Sequence, residues 1–441
     1  MKRLLSLLLC VVLALFCATT AQAAGVSITL TASEYALHYA FDAGAQDPFV
    51  ILEYTTPAEK GWMMLYSEDG HFEGDVSLAY SGAGGKTSVA LTSARTTGSI
   101  GKASTTLPKA ADYQKPTGKS NAKVMDFVLT ETPEGFHYAF NAIGTDYMLL
   151  YWRSKEQTVT QPVYPDENGH YEGDVISELT FARTQFTVQV KSGSGSMKKE
   201  ATVRKGYQAP EAPQRQEGRL SGVTVCIDAG HQENGRFVNE PIGPGLTGST
   251  SGKGGMAQGT KTNRRESIVC LEIGMLLRDE LLRQGANVVM TREDQTTFHT
   301  NIERCEIAEA GGAQIMLRLH CNNSSNRSKR GIQVYGPLNS DYAKAVADAD
   351  TYREMGQKLL DAMKTRVGMT LANSTGMVRL NDNYVGNNWA KMMCFLVEMG
   401  YLSNPAEEYL LVTPVYQQWL AEGMADGVYE IAVARGWVQA Q

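Results

Sequence analysis

The run VTVCID at residues 223–228, followed at once by Ala229-Gly230-His231, sets the reading of the second half of this 441-residue chain. A short, largely apolar run closed by a glycine turn reads as a strand. Beyond it the pattern alternates. Residues 267–284 carry helical spacing in Ile268, Leu271, Met275 and Leu282; 288–291 read as a strand, 302–310 as a helix and 315–319 as a strand. A strand over 332–335, a long helix within 341–367, a strand over 393–397 and closing helices from Asn404 complete the series. Such alternation predicts an α/β domain over 220–441, a mixed, mostly parallel sheet flanked by helices. Ligands of such sheets gather beyond the carboxyl ends of the strands.

Four polar residues fall at those places. His231 follows the first strand, Glu266 opens the long helix, His320 ends the run 315–319, and Glu398 ends the run 394–397. Two His and one Glu are the set a catalytic Zn²⁺ takes while a fourth position stays open for water. A further carboxylate is what a general base requires. Singly, each has an ordinary explanation: a surface histidine after a turn, a glutamate favoured by the helix macrodipole, a strand-end carboxylate bonded to backbone amides. Their joint placement points to a metal site.

The first half reads differently. At an offset of 99 residues, HYAFDA (38–43) matches HYAFNA (137–142), and GHFEGDV (70–76) matches GHYEGDV (169–175). Residues 25–106 and 120–206 therefore form two copies of one module. Short alternating runs of Val, Thr, Tyr and Phe, separated by turn signals such as Asp69-Gly70 and Asn168-Gly169, predict strands. Modules of this size fit an immunoglobulin-like β-sandwich. The recurring His38/His137 and His71/His170 invite a ligand reading, but a hairpin turn followed by a strand explains GH[FY]EGD, and they read as structural. Residues 207–219, with prolines and charges, read as a linker to the second half.

Composition bounds the rest. With 43% hydrophobic and 20% charged residues, the chain can bury real cores. Residues 1–23 place Lys2 and Arg3 before an apolar run and Ala21-Gln22-Ala23, a signal peptide in layout. Its removal takes the net charge from −6 to −8, which excludes the basic footprint of a nucleic-acid binder. No later stretch is apolar enough to span a bilayer. The expectation is an exported, cell-wall-associated or secreted protein. Cys226, Cys270, Cys305, Cys321 and Cys394 would remain, each in an apolar pattern and thus read as small buried residues.

At this point the residues match a known family. VCIDAGHQ (225–232), Glu266, Thr291-Arg292, Arg304, LHCN (319–322) and LVEMGYLSNPAEE (396–408) occur in order, and residues 220–441 resemble the zinc-dependent N-acetylmuramoyl-L-alanine amidases of the type-3 catalytic domain. The spacing of Glu266, Gly285 and Thr291-Arg292 is the family's own, which favours Glu266 over Glu272 as a ligand. The resemblance implies His231, Glu266 and His320 as zinc ligands, Glu398 as the catalytic carboxylate, and Asn322, Asp382 and Asn388 as substrate-facing residues. It implies peptidoglycan as substrate, cut between N-acetylmuramic acid and L-alanine. Two positions depart from the pattern: Arg318 replaces a usual small residue, and Gln232 a common glycine. The Gly-rich stretch 235–259 is longer than in the simplest members and is expected to act as a mobile flap. A zinc peptidase acting on the stem peptide and an inactive wall-binding protein, with Cys321 as a fourth ligand, stand as alternatives.

Overall fold

The computed structural model describes residues 19–22, 26–34, 36–57, 60–78, 81, 83–96, 98–111, 123–132, 135–143, 148–153, 158–163, 165–176, 184–192, 198–205, 210–232, 238–250, 255–262, 264–367 and 378–440. Of the expected signal peptide, residues 1–18 and 23 lie outside these. The chain divides into two compact units, Met1–Thr117 and Gly118–Gln441.

The described residues of the first unit form eight strands: β1 (Thr19–Gln22), β2 (Ser27–Ala32), β3 (Ala36–Asp42), β4 (Phe49–Thr55), β5 (Lys60–Tyr66), β6 (His71–Ser77), β7 (Gly85–Ser93) and β8 (Ser99–Leu107). They form two antiparallel sheets, ordered β1-β2-β3-β6 and β5-β4-β7-β8. Period-2 alternation makes this possible: along β3, Leu37, Tyr39 and Phe41 are buried while His38, Ala40 and Asp42 face outward. Ile28, Leu30, Leu37, Phe41 and Phe72 of one sheet join Val50, Leu52, Val89 and Leu91 of the other in one apolar cluster.

The second unit begins with β9 (Lys123–Thr132), β10 (Gly135–Ile143), β11 (Met148–Arg153), β12 (Thr158–Val163), β13 (His170–Ile176), β14 (Thr184–Ser192) and β15 (Lys198–Lys205). Their order, β13-β10-β9 and β12-β11-β14-β15, repeats that of the first unit, with no counterpart of β1 among the described residues. Gly70 and Gly169 adopt φ of 82° and 78°, as tight turns require. The turns are not hairpins, however. Each joins strands of different sheets, β5 to β6 and β12 to β13.

Residues beyond 210 form an α/β domain: β16 (Thr224–Ala229), α1 (Glu266–Arg283), β17 (Asn287–Met290), α2 (Asn301–Ala310), β18 (Ile315–Asn322), β19 (Gln333–Gly336), α3 (Asp341–Val346), α4 (Ala349–Val367), β20 (Val378–Leu380), α5 (Val385–Trp389), β21 (Met393–Tyr401), α6 (Glu407–Leu411) and α7 (Pro414–Ala434). The sheet order is β17-β16-β18-β21-β19-β20. All pairs are parallel except β19 with β21, so the expected mixed, mostly parallel sheet is present. The long helix expected within 341–367 is two helices, broken where Ala347 is extended. Alternate residues divide the sheet's faces. Cys226, Met316 and Cys394 pack with Cys305 and Ala308 of α2, whereas Ile227 and Leu319 pack against Gly274 of α1. The supposed linker is tied down: Gln216 N–H donates to Leu282 O at 3.0 Å and Arg215 Nη1 to Gly285 O at 2.9 Å. No described helix is long and apolar enough to cross a membrane.

Candidate metal centre

Strand parity builds the site. Asp228, Arg318, His320, Leu396 and Glu398 share the parity of Cys226, Met316 and Cys394, and so project on the α2 side of the sheet. His320 and Glu398 are direct partners on the adjacent parallel strands β18 and β21. His231 lies just past β16 with φ of 57°, a left-handed conformation uncommon for a side chain this large. The preceding Gly230 permits it, since a Cβ there would stand 2.5 Å from Leu319 O and 2.6 Å from His320 Cε1.

Glu266 is the hub. It is 3% exposed, and its Oε1 lies 3.1 Å from His231 Nε2 and 3.0 Å from His320 Nδ1. Cys321 N–H donates to the same oxygen at 3.1 Å, and Ala257 N–H to Oε2 at 2.8 Å. Burial opposes the charge of Glu266, but the two imidazoles more than offset it and hold the carboxyl well below the usual range. Burial moves His320 the other way, below the ordinary histidine value. Neutral imidazole beside ionised carboxylate is the protonation state in which such groups bind a metal. The donor atoms of His231, Glu266 and His320 all lie within 4.8 Å of one another, and two N donors with one O donor suit Zn²⁺. Cys321 offers its backbone to Glu266 while its thiol pairs with Cys270 of α1, so it does not complete a closed four-ligand set.

Glu398 stands apart from these bonds. Its Oε2 is sealed from solvent with no hydrogen-bond partner among the described residues. Burial, then the nearby Glu266 charge, raise its pKa to about 8. The site opens into a cleft of about 890 Å³ that Gln232, Asn301, Asn322, Asn323, Asn383, Tyr384 and Val385 also line.

A buried ionic network, not anticipated from spacing, holds the first turn. Asp228 accepts from Thr291 Oγ1 at 2.7 Å, from Arg318 Nε at 2.8 Å, and from Arg304 Nη1. Arg304 also donates to His231 O at 3.2 Å and to the Gln232 side chain. Arg292 donates to Ala229 O at 2.7 Å and Gly230 O at 2.8 Å. The two guanidiniums thus hold the backbone on both sides of the strained His231. Arg318 replaces a small residue at no steric cost because Gly386 lies flat against it; a Cβ there would stand 2.2 Å from Arg318 Cζ. Asp228, a charge in an apolar strand pattern, and the matched Thr291-Arg292 and Arg304 stood out in the sequence, but nothing in residue order paired them.

The loops are also anchored. Glu240 accepts from Ile302 N–H at 2.8 Å and Asn301 Nδ2 at 2.6 Å, capping α2, and Trp389 Nε1 donates to Pro241 O at 2.9 Å. Glu408 accepts from Lys261 N–H at 2.9 Å and Thr262 N–H at 3.2 Å. Within the described parts of the supposed flap, Glu240 and Pro241 are held by α2 and Trp389, and Ala257 by Glu266. Of the expected substrate residues, Asn322 lines the cleft, but Asp382 and Asn388 do not. Asp382 accepts from Asn339 N–H at 2.7 Å, and the fully buried Asn388 donates to Ile242 O at 3.1 Å and Asp382 O at 2.9 Å. They brace the loop whose Asn383 and Tyr384 reach the cleft instead.

Comparison with known proteins agrees with this domain. Residues 225–430 match the family profile Amidase_3, described as N-acetylmuramoyl-L-alanine amidase. The germination-specific N-acetylmuramoyl-L-alanine amidase of Bacillus subtilis is 26% identical over 231 residues, 49% of this chain and 83% of that one. The probable cell wall amidase LytH of Staphylococcus aureus is 27% identical over 218 residues, 48% of this chain and 60% of its own length. Among solved structures, the N-acetylmuramoyl-L-alanine amidase of Clostridium difficile 630 matches at 23% identity and a TM-score of 0.38, covering 48% of this chain and 96% of that one. The apo form of Ami1 from Mycobacterium abscessus matches at 19% and 0.43, covering 48% and 99%. The similarity to this family covers residues 225–430, just under half of the chain.

Proposed function

We propose that residues 220–441 form a zinc-dependent hydrolase that cleaves the amide bond between N-acetylmuramic acid and L-alanine in peptidoglycan. The observation that carries the reading is Glu398, which lines the same cleft as the three-donor cluster from the strand beside His320 and whose Oε2 has no hydrogen-bond partner among the described residues. His231 Nε2, Glu266 Oε1 and His320 Nδ1 would hold the ion. Zinc bound there supplies a water of pKa about 7 and a Lewis acid for the carbonyl.

The remaining work falls to the chain. Ala257 and Cys321 amides hold the Glu266 carboxylate in place at the cluster. Arg292 and Arg304 fix the His231 turn. Glu398, whose raised pKa lets a proton rest on it near neutrality, takes a proton and returns it to the leaving nitrogen, a role typically worth about 10²- to 10⁴-fold. Asn322, Asn383 and Tyr384 offer hydrogen bonds to a polar glycopeptide.

The signal peptide, residues 1–23, would export the enzyme to the wall. Its removal takes β1 away and leaves β2-β3-β6, the three-strand arrangement of β9-β10-β13. That equivalence, with the shared strand order, supports two immunoglobulin-like repeats ahead of the enzyme. The test is purified protein on peptidoglycan with and without a chelator, scoring new L-alanine amino termini against other amino termini and reducing ends. Glu398→Gln should bind zinc normally and lose activity by at least about 10²-fold; wild-type turnover would refute the assignment.

A further inference from the structure

Arg318, where the resembled family carries a small residue, and the long stretch between His231 and Glu266 meet in the structure. Arg318 is 4% exposed and projects on the α2 side of the sheet, with Gly386 of α5 flat against its guanidinium. Its Nη2 donates to Asn301 Oδ1 at 2.7 Å. Asn301 Nδ2 donates in turn to Glu240 Oε2 at 2.6 Å, and the other oxygen of this buried glutamate takes the Ile302 N–H at 2.8 Å. Glu240 belongs to the long stretch. Its backbone oxygen accepts Thr250 N–H at 2.9 Å, and Pro241 bridges Ser249, so residues 240–250 close into a small antiparallel loop. The tip of that loop is seated on α3 and α5: Asp341 N–H donates to Pro244 O at 3.0 Å, and a Cβ on Gly243 would stand 2.6 Å from Asn388 Cβ. Its base is at the cleft, where Val238, Glu240 and Thr250 line one wall.

The polarity of this chain has one solution. A guanidinium carries only donors, so Asn301 turns its carbonyl to Arg318, and its amide nitrogen then faces the Glu240 carboxylate, which accepts. Arg318 thereby fixes which way the Asn301 amide points, and that orientation holds the base of the loop. A small side chain at 318 would remove the constraint on the amide. A stretch too short to place Glu240 there would remove its acceptor. Val238, apolar yet 38% exposed, gives the wall an uncovered apolar contact beside the Thr250 side chain, the mixed lining that ligand clefts use.

Resting on the amidase reading, we propose that Arg318 and Asn301 are positioning residues for substrate binding: they hold the 240–250 loop so that Val238 and Thr250 form a fixed wall against the glycopeptide beyond its scissile amide. Neither is asked to act on the reacting atoms. Their contribution therefore falls on KM rather than on kcat.

The experiment is a polarity exchange in the full chain. Asn301→Asp keeps an acceptor for Arg318, and an acidic residue suits the first turn of α2, but two carboxylates then stand face to face and the loop should release. Adding Glu240→Gln restores a donor across the same gap and should recover it. On soluble disaccharide-peptide fragments of peptidoglycan, KM should rise about 10-fold or more in Asn301→Asp, with kcat and zinc content little changed, and fall back in Asn301→Asp/Glu240→Gln. Hydrogen exchange reads the coupling without turnover: the Thr250 amide should lose protection in the single variant and regain it in the double one. A loss confined to kcat, no recovery in the double variant, or equal Thr250 protection in all three proteins would overturn the proposal. A wild type that cuts no such fragment would instead refute the amidase reading, and the exchange result would still decide whether Asn301 holds the loop.

Discussion

Glu407 offers a test of how this domain trades charge for position. It is 3% exposed and accepts Tyr401 N–H at 2.8 Å and Gly331 N–H at 2.7 Å, tying the end of β21 to the loop before β19. Burial outweighs those two donors and the nearby Arg330, and raises its pKa from 4.5 to about 7. A carboxyl raised on folding binds more protons in the native state than in the unfolded one. Its contribution is therefore complete below about pH 4.5 and is lost as pH rises through about 7. At about 1.36 kcal/mol per unit, the full loss is roughly 3 kcal/mol. Glu407→Gln removes the titration but keeps an acceptor. We expect the variant to gain on wild type by up to roughly 3 kcal/mol between about pH 4.5 and 8. Urea unfolding of both proteins across that range, followed by tryptophan emission, checks this. Taking the difference cancels Glu398, which titrates in the same direction, and the lowered Asp228 and Glu266 titrate below the window. A stability difference that stays constant with pH would refute the reasoning.

Other consequences can be measured directly. Gly230→Ala should force His320 aside and weaken zinc binding by at least about 10-fold in a competition titration, with secondary structure retained. Arg318→Met should destabilise the domain by about 3 kcal/mol, because Asp228 stays buried with one cation fewer; Asp228→Asn in the same chain should restore part of that loss. Glu240→Ala should strip hydrogen-exchange protection from the Ile302 amide and cost about 1 kcal/mol, the value of a helix cap.

Much of this was legible from residue order. The alternation after Val223 gives the sheet and its helices because buried parallel strands need continuous apolar runs, and the lengths of α1 and α4 suit period 3.6. His231, Glu266 and His320 were legible because each ends or opens an element at the carboxyl edge of the sheet, and the structure brings their donors together. Asp382 and Asn388 bond to loop backbone rather than line the cleft, a difference that residue order does not carry, because an amide or carboxylate that braces a loop has the same spacing as one that meets substrate. Arg304 and Arg318 stood out in the sequence, one as a match to the family pattern and one as a departure from it, but their pairing did not, because their partner, Asp228, lies 76 and 90 residues away in sequence. Asp69-Gly70 gave a turn but not which sheets it joins.

Strand parity has a consequence for how this domain can change over time. Asp228, Arg318, His320 and Glu398 share one side of the sheet, while Cys321 and Cys270 meet on the other. Losing one residue from β18 or β21 would therefore exchange His320 or Glu398 for an apolar or thiol neighbour in a single step. Length changes are closed to those strands. The sequence is free to lengthen only where it leaves the sheet, and the extra residues between His231 and Glu266 lie there.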